Sequence, residues 1–145
     1  MPSFSQITLH DAHFCRVSLE SKVTSGCTIR ILTINPDSPY VIQREQDEGD
    51  AVGQIKKSIN ELILWAKKIN DKNPKGSIIV KIYDALPLDT YQKIDNFVFT
   101  GPTMMGIPSQ QTIIYGYSPN SKGSIQLIGY FEKLWSDQSF SKSAY

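Results

Sequence analysis

A stripe of apolar residues, spaced by alternating intervals of three and four, predicts the clearest helix of the chain. The stripe consists of Val52, Ile55, Ile59, Leu62, Ala66 and Ile69. The lysines of this region, Lys56, Lys57, Lys67 and Lys68, lie off the stripe. This pattern is typical of a surface helix that packs one face on a core. We expect the helix to end in the polar segment 70–76.

Two short apolar runs predict buried strands. The first covers residues 28–34, is rich in β-branched side chains and lies between Gly26 and Pro36. The second covers residues 77–84. Runs of this length and composition are typical of central strands in a covered sheet. Residues 90–100 then predict a hairpin with Asp95-Asn96 as its turn, and residues 112–117 predict another strand.

Two further helices are predicted near the ends of the chain. The first covers residues 11–25, with Gly26 in the left-handed position that ends helices. The second carries apolar residues at helical spacing from Ile125 to Trp135. Residues 35–50 predict a loop, because they begin with two prolines and polar turn residues. Residues 137–145 predict a flexible C-terminal tail.

The order of these elements predicts the fold class. Helices and strands alternate along the chain, which favours an α/β fold in which helices cover a mixed sheet. The 145 residues correspond to about one domain. We therefore predict a single domain over residues 1–136.

Composition and charge narrow the classes of function. Lys and Arg number 15 against 14 Asp and Glu, so the net charge of +1 does not favour nucleic acid as a partner. We find no signal peptide and no apolar run that could span a membrane, so we expect a cytoplasmic protein. Two cysteines cannot form a structural zinc site. We interpret His10 and His13 as surface residues, and we predict no metal and no cofactor.

Candidate binding residues follow the two buried strands. Common phosphate-binding glycine loops are absent from the sequence. In open α/β sheets, however, ligands bind beyond the carboxyl ends of the strands. The first strand is followed by Asn35, Asp37, Ser38 and Arg44, and the second by Asp84. If these strands are parallel neighbours, the five side chains converge on one edge of the sheet.

Structural roles for the same residues remain open. Asn35 and Asp37 also suit side-chain turns, and Arg44 suits an ion pair with Asp84 or Asp95. Lys93 and Asp95 alternate along the predicted hairpin and would point to one side of it. They could hold a phosphate or simply pair with each other.

Three segments together resemble the phospholipase D superfamily. They are TIRILTINPDSPYVIQRE (28–45), SIIVKIYDALPLDTYQKIDNFVFTG (77–101) and YFEKLW (130–135). The resemblance covers roughly residues 20–136 and is to a degenerate branch associated with bacterial regulators. It implies an α/β/α sandwich, often a homodimer, because active members bring two half-sites together.

The resemblance also bears on catalysis. Active members carry a His-x-Lys-x4-Asp motif, in which the histidine attacks phosphorus. With Asp95 as the motif's aspartate, Leu88 occupies the histidine position and Thr90 the lysine position. With Lys93 as the lysine, Tyr91 takes the histidine position. Because neither alignment supplies the nucleophile, we do not expect phosphohistidine catalysis.

We therefore predict a non-catalytic ligand-binding or sensor domain that recognises a nucleotide or another phosphorylated small molecule. The residues expected to line its site are Asn35, Asp37, Ser38, Arg44, Asp84, Lys93 and Asp95. Arg44 and Lys93 would contact the anionic oxygens of the ligand. Two alternatives stay open. One is a phosphodiesterase or nuclease with an altered nucleophile, and the other is an interaction module that dimerises or docks through residues 112–135.

Overall fold

The computed structural model describes residues 5–7, 16–85, 90–102, 104–107 and 111–145. The strands of this part of the chain are β1 (Ser5–Ile7), β2 (Thr28–Ile34), β3 (Ser77–Tyr83), β4 (Thr90–Ile94), β5 (Phe97–Gly101), β6 (Tyr115–Tyr117) and β7 (Ser141–Ser143). Its helices are α1 (Arg16–Thr24), α2 (Pro39–Glu48), α3 (Gln54–Asp71) and α4 (Lys122–Ser136).

The strands form one mixed sheet in the order β6-β5-β4-β1-β2-β3-β7. β1, β2 and β3 are parallel neighbours, and the other pairings are antiparallel. The predicted α/β class is confirmed, as are the two buried strands and the hairpin. Asp95 has the positive φ of 52° that its tight turn requires.

The buried apolar side chains form two core clusters, and α3 contributes to both of them. In the first, Ile29 and Ile31 of β2 pack with the buried faces of α1 and α3. In the second, Tyr91 and Val98 pack with Phe131 and the rest of the buried face of α4. The apolar stripe of α3 is buried as predicted from Ile55 to Ile69. Val52 is 92% exposed, however, because the helix begins only at Gln54.

The segment 35–50, predicted as a loop, contains helix α2 instead. Ser38 is the N-cap of this helix and accepts a hydrogen bond from the backbone N of Tyr40 at 3.3 Å. Pro39 occupies the first helical position, where the missing N–H has no partner to lose. Gly49, with φ 75°, ends the helix in the left-handed conformation.

The C-terminal residues, predicted as a flexible tail over 137–145, are folded onto the sheet. β7 pairs antiparallel with β3. The Ser141 hydroxyl donates to the backbone O of Leu134 at 2.5 Å, and the Tyr145 hydroxyl donates to the backbone O of Ile78 at 2.9 Å. The edge of β3 therefore provides backbone partners for a segment whose sequence carries no apolar pattern.

Several boundaries differ from the predicted ones. The strand expected over 112–117 is limited to β6, and residues 11–15 of the first predicted helix lie outside the described residues. Gly26 has the expected positive φ, 109°. Within the described ranges, none of the helices combines the length and apolar content that a bilayer crossing needs.

Candidate functional site

Asn35 and Asp84 meet at the carboxyl edge of the parallel strands, as predicted. The side-chain Nδ2 of Asn35 donates to the two carboxylate oxygens of Asp84 at 3.1 and 3.3 Å. The Oδ1 of Asn35 accepts from the backbone N of Asp37 at 3.0 Å, which forms a side-chain turn. Asn35 therefore holds the ends of β2 and β3 together and directs the chain from β2 toward α2.

A groove of about 270 Å³ lies beside this edge, between the first turns of α2 and α3. Its lining residues are Pro36, Asp37, Ser38, Val41, Ile42, Glu45, Val52, Gly53 and Lys56. The lining is mostly apolar, and Ile42 and Val52 are exposed at it. An apolar groove with a few polar groups is the usual form of a small-molecule site.

An ion pair crosses the groove between two residues of its lining. The Nζ of Lys56, on α3, is 2.6 Å from the Oδ1 of Asp37, which precedes α2. Both side chains are exposed, at 52% and 71%. An exposed pair of this kind contributes little to stability, so a bound molecule could take over either partner at small cost.

Glu45 joins the two helices that form the groove. Its side chain is buried, and its carboxylate oxygens accept from the backbone N of Gly53 and of Ile55, each at 2.9 Å. These N–H groups belong to the start of α3, where carboxylates are favoured because the N–H groups are otherwise unpaired. Gly53, the N-cap residue, has φ 84° and no side chain, so Glu45 supplies the cap from α2.

Of the seven predicted site residues, two are among the described residues that line the groove, Asp37 and Ser38. Asn35 and Asp84 bond to each other at the neighbouring edge of the sheet, and the other three have different positions. Arg44 donates from Nε to the Oε1 of Glu48 at 2.8 Å, one turn along α2, and not to Asp84 or Asp95. Lys93 pairs in register with Gln6, whose other partner is Arg30 near the start of β2. Because β4 runs antiparallel to β1, Lys93 and the Asp95 turn lie toward the opposite edge of the sheet. The seven predicted residues are thus divided between two edges.

The sequence reasoning missed the groove residues on α2 and α3. In the sequence, Lys56 lies off the apolar stripe of its helix, and Glu45 lies in the segment predicted as a loop. The Ser38-Pro39 pair was an available signal, because a serine cap followed by proline often begins a helix. With α2 in place, the i, i+4 spacing of Val41 and Glu45 would have put these two side chains on one face.

The resemblance aligns two positions with the catalytic histidine, and the structure describes one of them, Tyr91. Tyr91 is buried and stacks on Phe131, with ring centroids 5.2 Å apart. Burial, together with the negative charge of Glu132, raises the pKa of the Tyr91 phenol above its ordinary value, against an opposing effect of Arg30. Leu88 lies outside the described residues.

Metal ligation has no support in the part of the chain that the structure describes. No group of three or more His, Cys, Asp or Glu side chains there is arranged to hold a metal ion. His10 and His13 lie outside the described residues.

Fold and groove together define an α/β domain, in which the described residues form a mixed seven-stranded sheet with a small groove beyond the carboxyl end of a central strand. The chain belongs to the family described as "Domain of unknown function (DUF5919)", whose model matches residues 8–113. The match includes both helices of the groove and ends before β6 and α4. No curated protein and no solved structure matches the chain.

Proposed function

We propose that this protein is a non-catalytic ligand-binding domain and that the groove between α2 and α3 is its binding site. The observation that carries this proposal is the mostly apolar groove of about 270 Å³ with the Lys56–Asp37 ion pair across it. Its position beyond the carboxyl end of β2 supports the proposal, because open α/β sheets bind ligands there.

The charges of the groove bear on the expected phosphorylated ligand. Among the described lining residues, Lys56 is the single cation, it pairs with Asp37, and Glu45 adds a second carboxylate to the lining. Arg44 and Lys93, the cations expected to bind phosphate, lie elsewhere. The groove therefore suits a ligand with a single anionic group better than a polyphosphate.

A screen by thermal shift, followed by calorimetry, tests the proposed site. The compounds should include amino acids, carboxylates, amines, sugar phosphates and nucleotides. A ligand at a hundredfold its Kd stabilises the fold by about 2.7 kcal/mol, which gives a readable shift. A flat screen with well-folded protein would overturn the proposal.

Two tryptophan variants separate binding in the groove from binding elsewhere. Ile42→Trp fills the groove, whereas Leu64→Trp adds the same side chain to the outer face of α3. Ile42 and Leu64 are equally exposed, at 57%, so the two variants are matched. We expect Ile42→Trp to abolish the ligand-induced shift and Leu64→Trp to preserve it. A shift that persists in Ile42→Trp would place the ligand outside the groove.

A second candidate function is self-association through the edge strand β6. No charged residue occurs over residues 96–121. Met105, Ile113, Ile114 and Tyr115 of this stretch are exposed, and β6 is the last strand on its side of the sheet. Exposed edge strands are commonly protected by charges. Two copies of an uncharged edge can meet without like-charge repulsion, so the occupant we propose is a second copy of this chain.

Analytical ultracentrifugation from micromolar to submillimolar protein tests this association. Ile114→Lys places a charge beside β6 and should shift the protein toward the monomer. The matched control is Leu64→Lys, at a position of nearly equal exposure on α3. A monomer throughout the concentration range, or equal behaviour of the two variants, would overturn the second candidate.

A further inference from the structure

We propose that the ligand of the groove is a zwitterion with an apolar body, of the class of apolar α-amino acids. This inference rests on the proposed function and specifies the ligand of the same site. It starts from the paired charges of Lys56 and Asp37, whose side-chain N and O atoms are 2.6 Å apart. In the bound state, the ligand carboxylate would pair with Lys56 and the ligand ammonium with Asp37.

The short distance between the two charges selects against ligands with one charge. An anion bound to Lys56 comes to lie beside the Asp37 carboxylate, and a cation bound to Asp37 comes to lie beside the Lys56 ammonium. A zwitterion meets both residues with opposite charges and leaves neither without a partner. Because a zwitterion has no net charge, its binding also leaves the net charge of the groove unchanged.

Glu45 strengthens the selection against polyanions. Its buried carboxylate already accepts from two backbone N–H groups of α3, at Gly53 and Ile55. It is therefore committed to the helix and does not compete with Asp37 for the ligand ammonium. Its negative charge nevertheless adds to that of Asp37, so each additional phosphate charge on a ligand is disfavoured.

The apolar lining and the size of the groove define the body of the ligand. Val41, Ile42 and Val52 offer aliphatic surface, and the Ser38 hydroxyl lies among them as a polar group of the lining. About 270 Å³ is just below the usual range of about 300–1,000 Å³ for small-molecule pockets. A compact side chain such as that of leucine or methionine suits this space better than a nucleoside.

Calorimetry with matched leucine analogues tests the inference on the intact protein. The probes are L-leucine, 4-methylpentanoate, which lacks the ammonium, and isoamylamine, which lacks the carboxylate. We expect each analogue to bind at least about fivefold more weakly than leucine, the effect of one unit-charge interaction at about 4 Å in water. Equal or tighter binding of either analogue would overturn the zwitterion, and so would a groove that binds only nucleotides.

Charge-neutralising variants give a second and sharper readout. Asp37→Asn should raise the affinity for 4-methylpentanoate relative to leucine, and Lys56→Gln should do the same for isoamylamine. Lys57→Gln, on α3 but outside the groove lining, should leave both ratios unchanged. Ratios that do not move in the groove variants would overturn the inference.

The failure of this inference can be distinguished from failure of the proposed function. If another class of compound binds wild-type protein and loses its shift in Ile42→Trp, the groove is a binding site and only the zwitterion is wrong. If no compound of the wider screen produces a shift, both proposals fail together.

Discussion

Asn70, at the end of α3, hydrogen-bonds both backbone polar groups of Ile78 at the start of β3. Its Oδ1 accepts from the backbone N of Ile78 at 2.9 Å, and its Nδ2 donates to the backbone O at 2.7 Å. The side-chain amide thus substitutes for a neighbouring strand. It fixes the end of α3 to the first residues of the strand that follows.

We expect Asn70→Ala to lower the free energy of unfolding by about 1–3 kcal/mol, because it leaves two partly buried backbone groups without this partner. Urea denaturation measures the change. Lys68→Ala is the control, because Lys68 is exposed on the same turn of the helix. Equal urea midpoints for the two variants would show that the hydrogen bonds of Asn70 make no net contribution to the free energy of unfolding.

The Arg30–Glu132 pair should be strongly coupled. Both terminal guanidinium nitrogens of Arg30 donate to the Glu132 carboxylate. The guanidinium also lies 5.1 Å from the centroid of the Trp135 ring. Because the pair is partly buried and bidentate, we expect Arg30→Met and Glu132→Gln to show a coupling energy of roughly 1–2 kcal/mol, between the values of exposed and buried pairs.

A double-mutant cycle from urea denaturation measures this coupling. The Lys72–Glu20 pair is a suitable comparison, since its side chains are 67% and 40% exposed and its atoms are 3.0 Å apart. We expect its coupling to be below about 1 kcal/mol. A similar coupling energy in both cycles would show that partial burial and the bidentate geometry do not strengthen the Arg30–Glu132 pair.

Two glycines should respond in opposite directions to alanine. A Cβ at Gly76 would overlap the backbone O of Cys27 and lie 2.8 Å from the backbone O of Val23. We expect Gly76→Ala to destabilise by about 1–3 kcal/mol, the usual cost of overpacking. A Cβ at Gly129, within α4, meets no atom within 4 Å. There alanine should stabilise by about 0.4–1 kcal/mol. Thermal denaturation would show the two melting temperatures moving apart; a shift in the same direction would contradict this.

Because of the turn between α4 and β7, the free energy of unfolding should change with pH in the acid range. The Ser139 hydroxyl and backbone N both donate to the Asp137 carboxylate, at 2.6 and 2.9 Å, and these bonds lower the pKa of Asp137. A lowered pKa gives stability that is present above the unfolded value, near pH 4, and is lost as the pH falls through the folded value. Asp137→Asn should therefore be less stable than wild type at neutral pH.

Urea denaturation across pH 2–7 checks this dependence. The difference between wild type and Asp137→Asn should shrink below about pH 4. Ser139→Ala removes one of the two donors and should reduce the same pH dependence in part. A difference that stays constant down to pH 2 would mean that the Asp137 charge does not stabilise this turn.

The parts of the fold that could be predicted are those with strong burial. β2, β3 and the buried stripe of α3 carry apolar patterns that leave few alternatives. β7 could not be predicted, because Ser141, Lys142 and Ser143 show no apolar pattern and owe their conformation to the edge of β3. Tertiary pairing of this kind is invisible to a reading of local sequence.

The candidate site was only partly predictable for a related reason. Asp37 and Ser38 could be found because they follow a buried strand. Lys56 is 19 positions from Asp37 and meets it only because α2 and α3 bring them together. The prolines at 36 and 39 were interpreted as loop signals, although Pro39 begins a helix. Without α2, neither the groove nor its ion pair can be inferred.

The position of β1 has a consequence for how the chain folds. Its three residues lie between β4 and β2, and Ser5 pairs with both Ile29 and Ile94. The pairing with β4 joins segments far apart in sequence, and such contacts form slowly because a long loop must close first. We therefore expect the sheet to be completed late. A chain stalled before that step would expose four strand edges in place of two, and exposed edges favour aggregation.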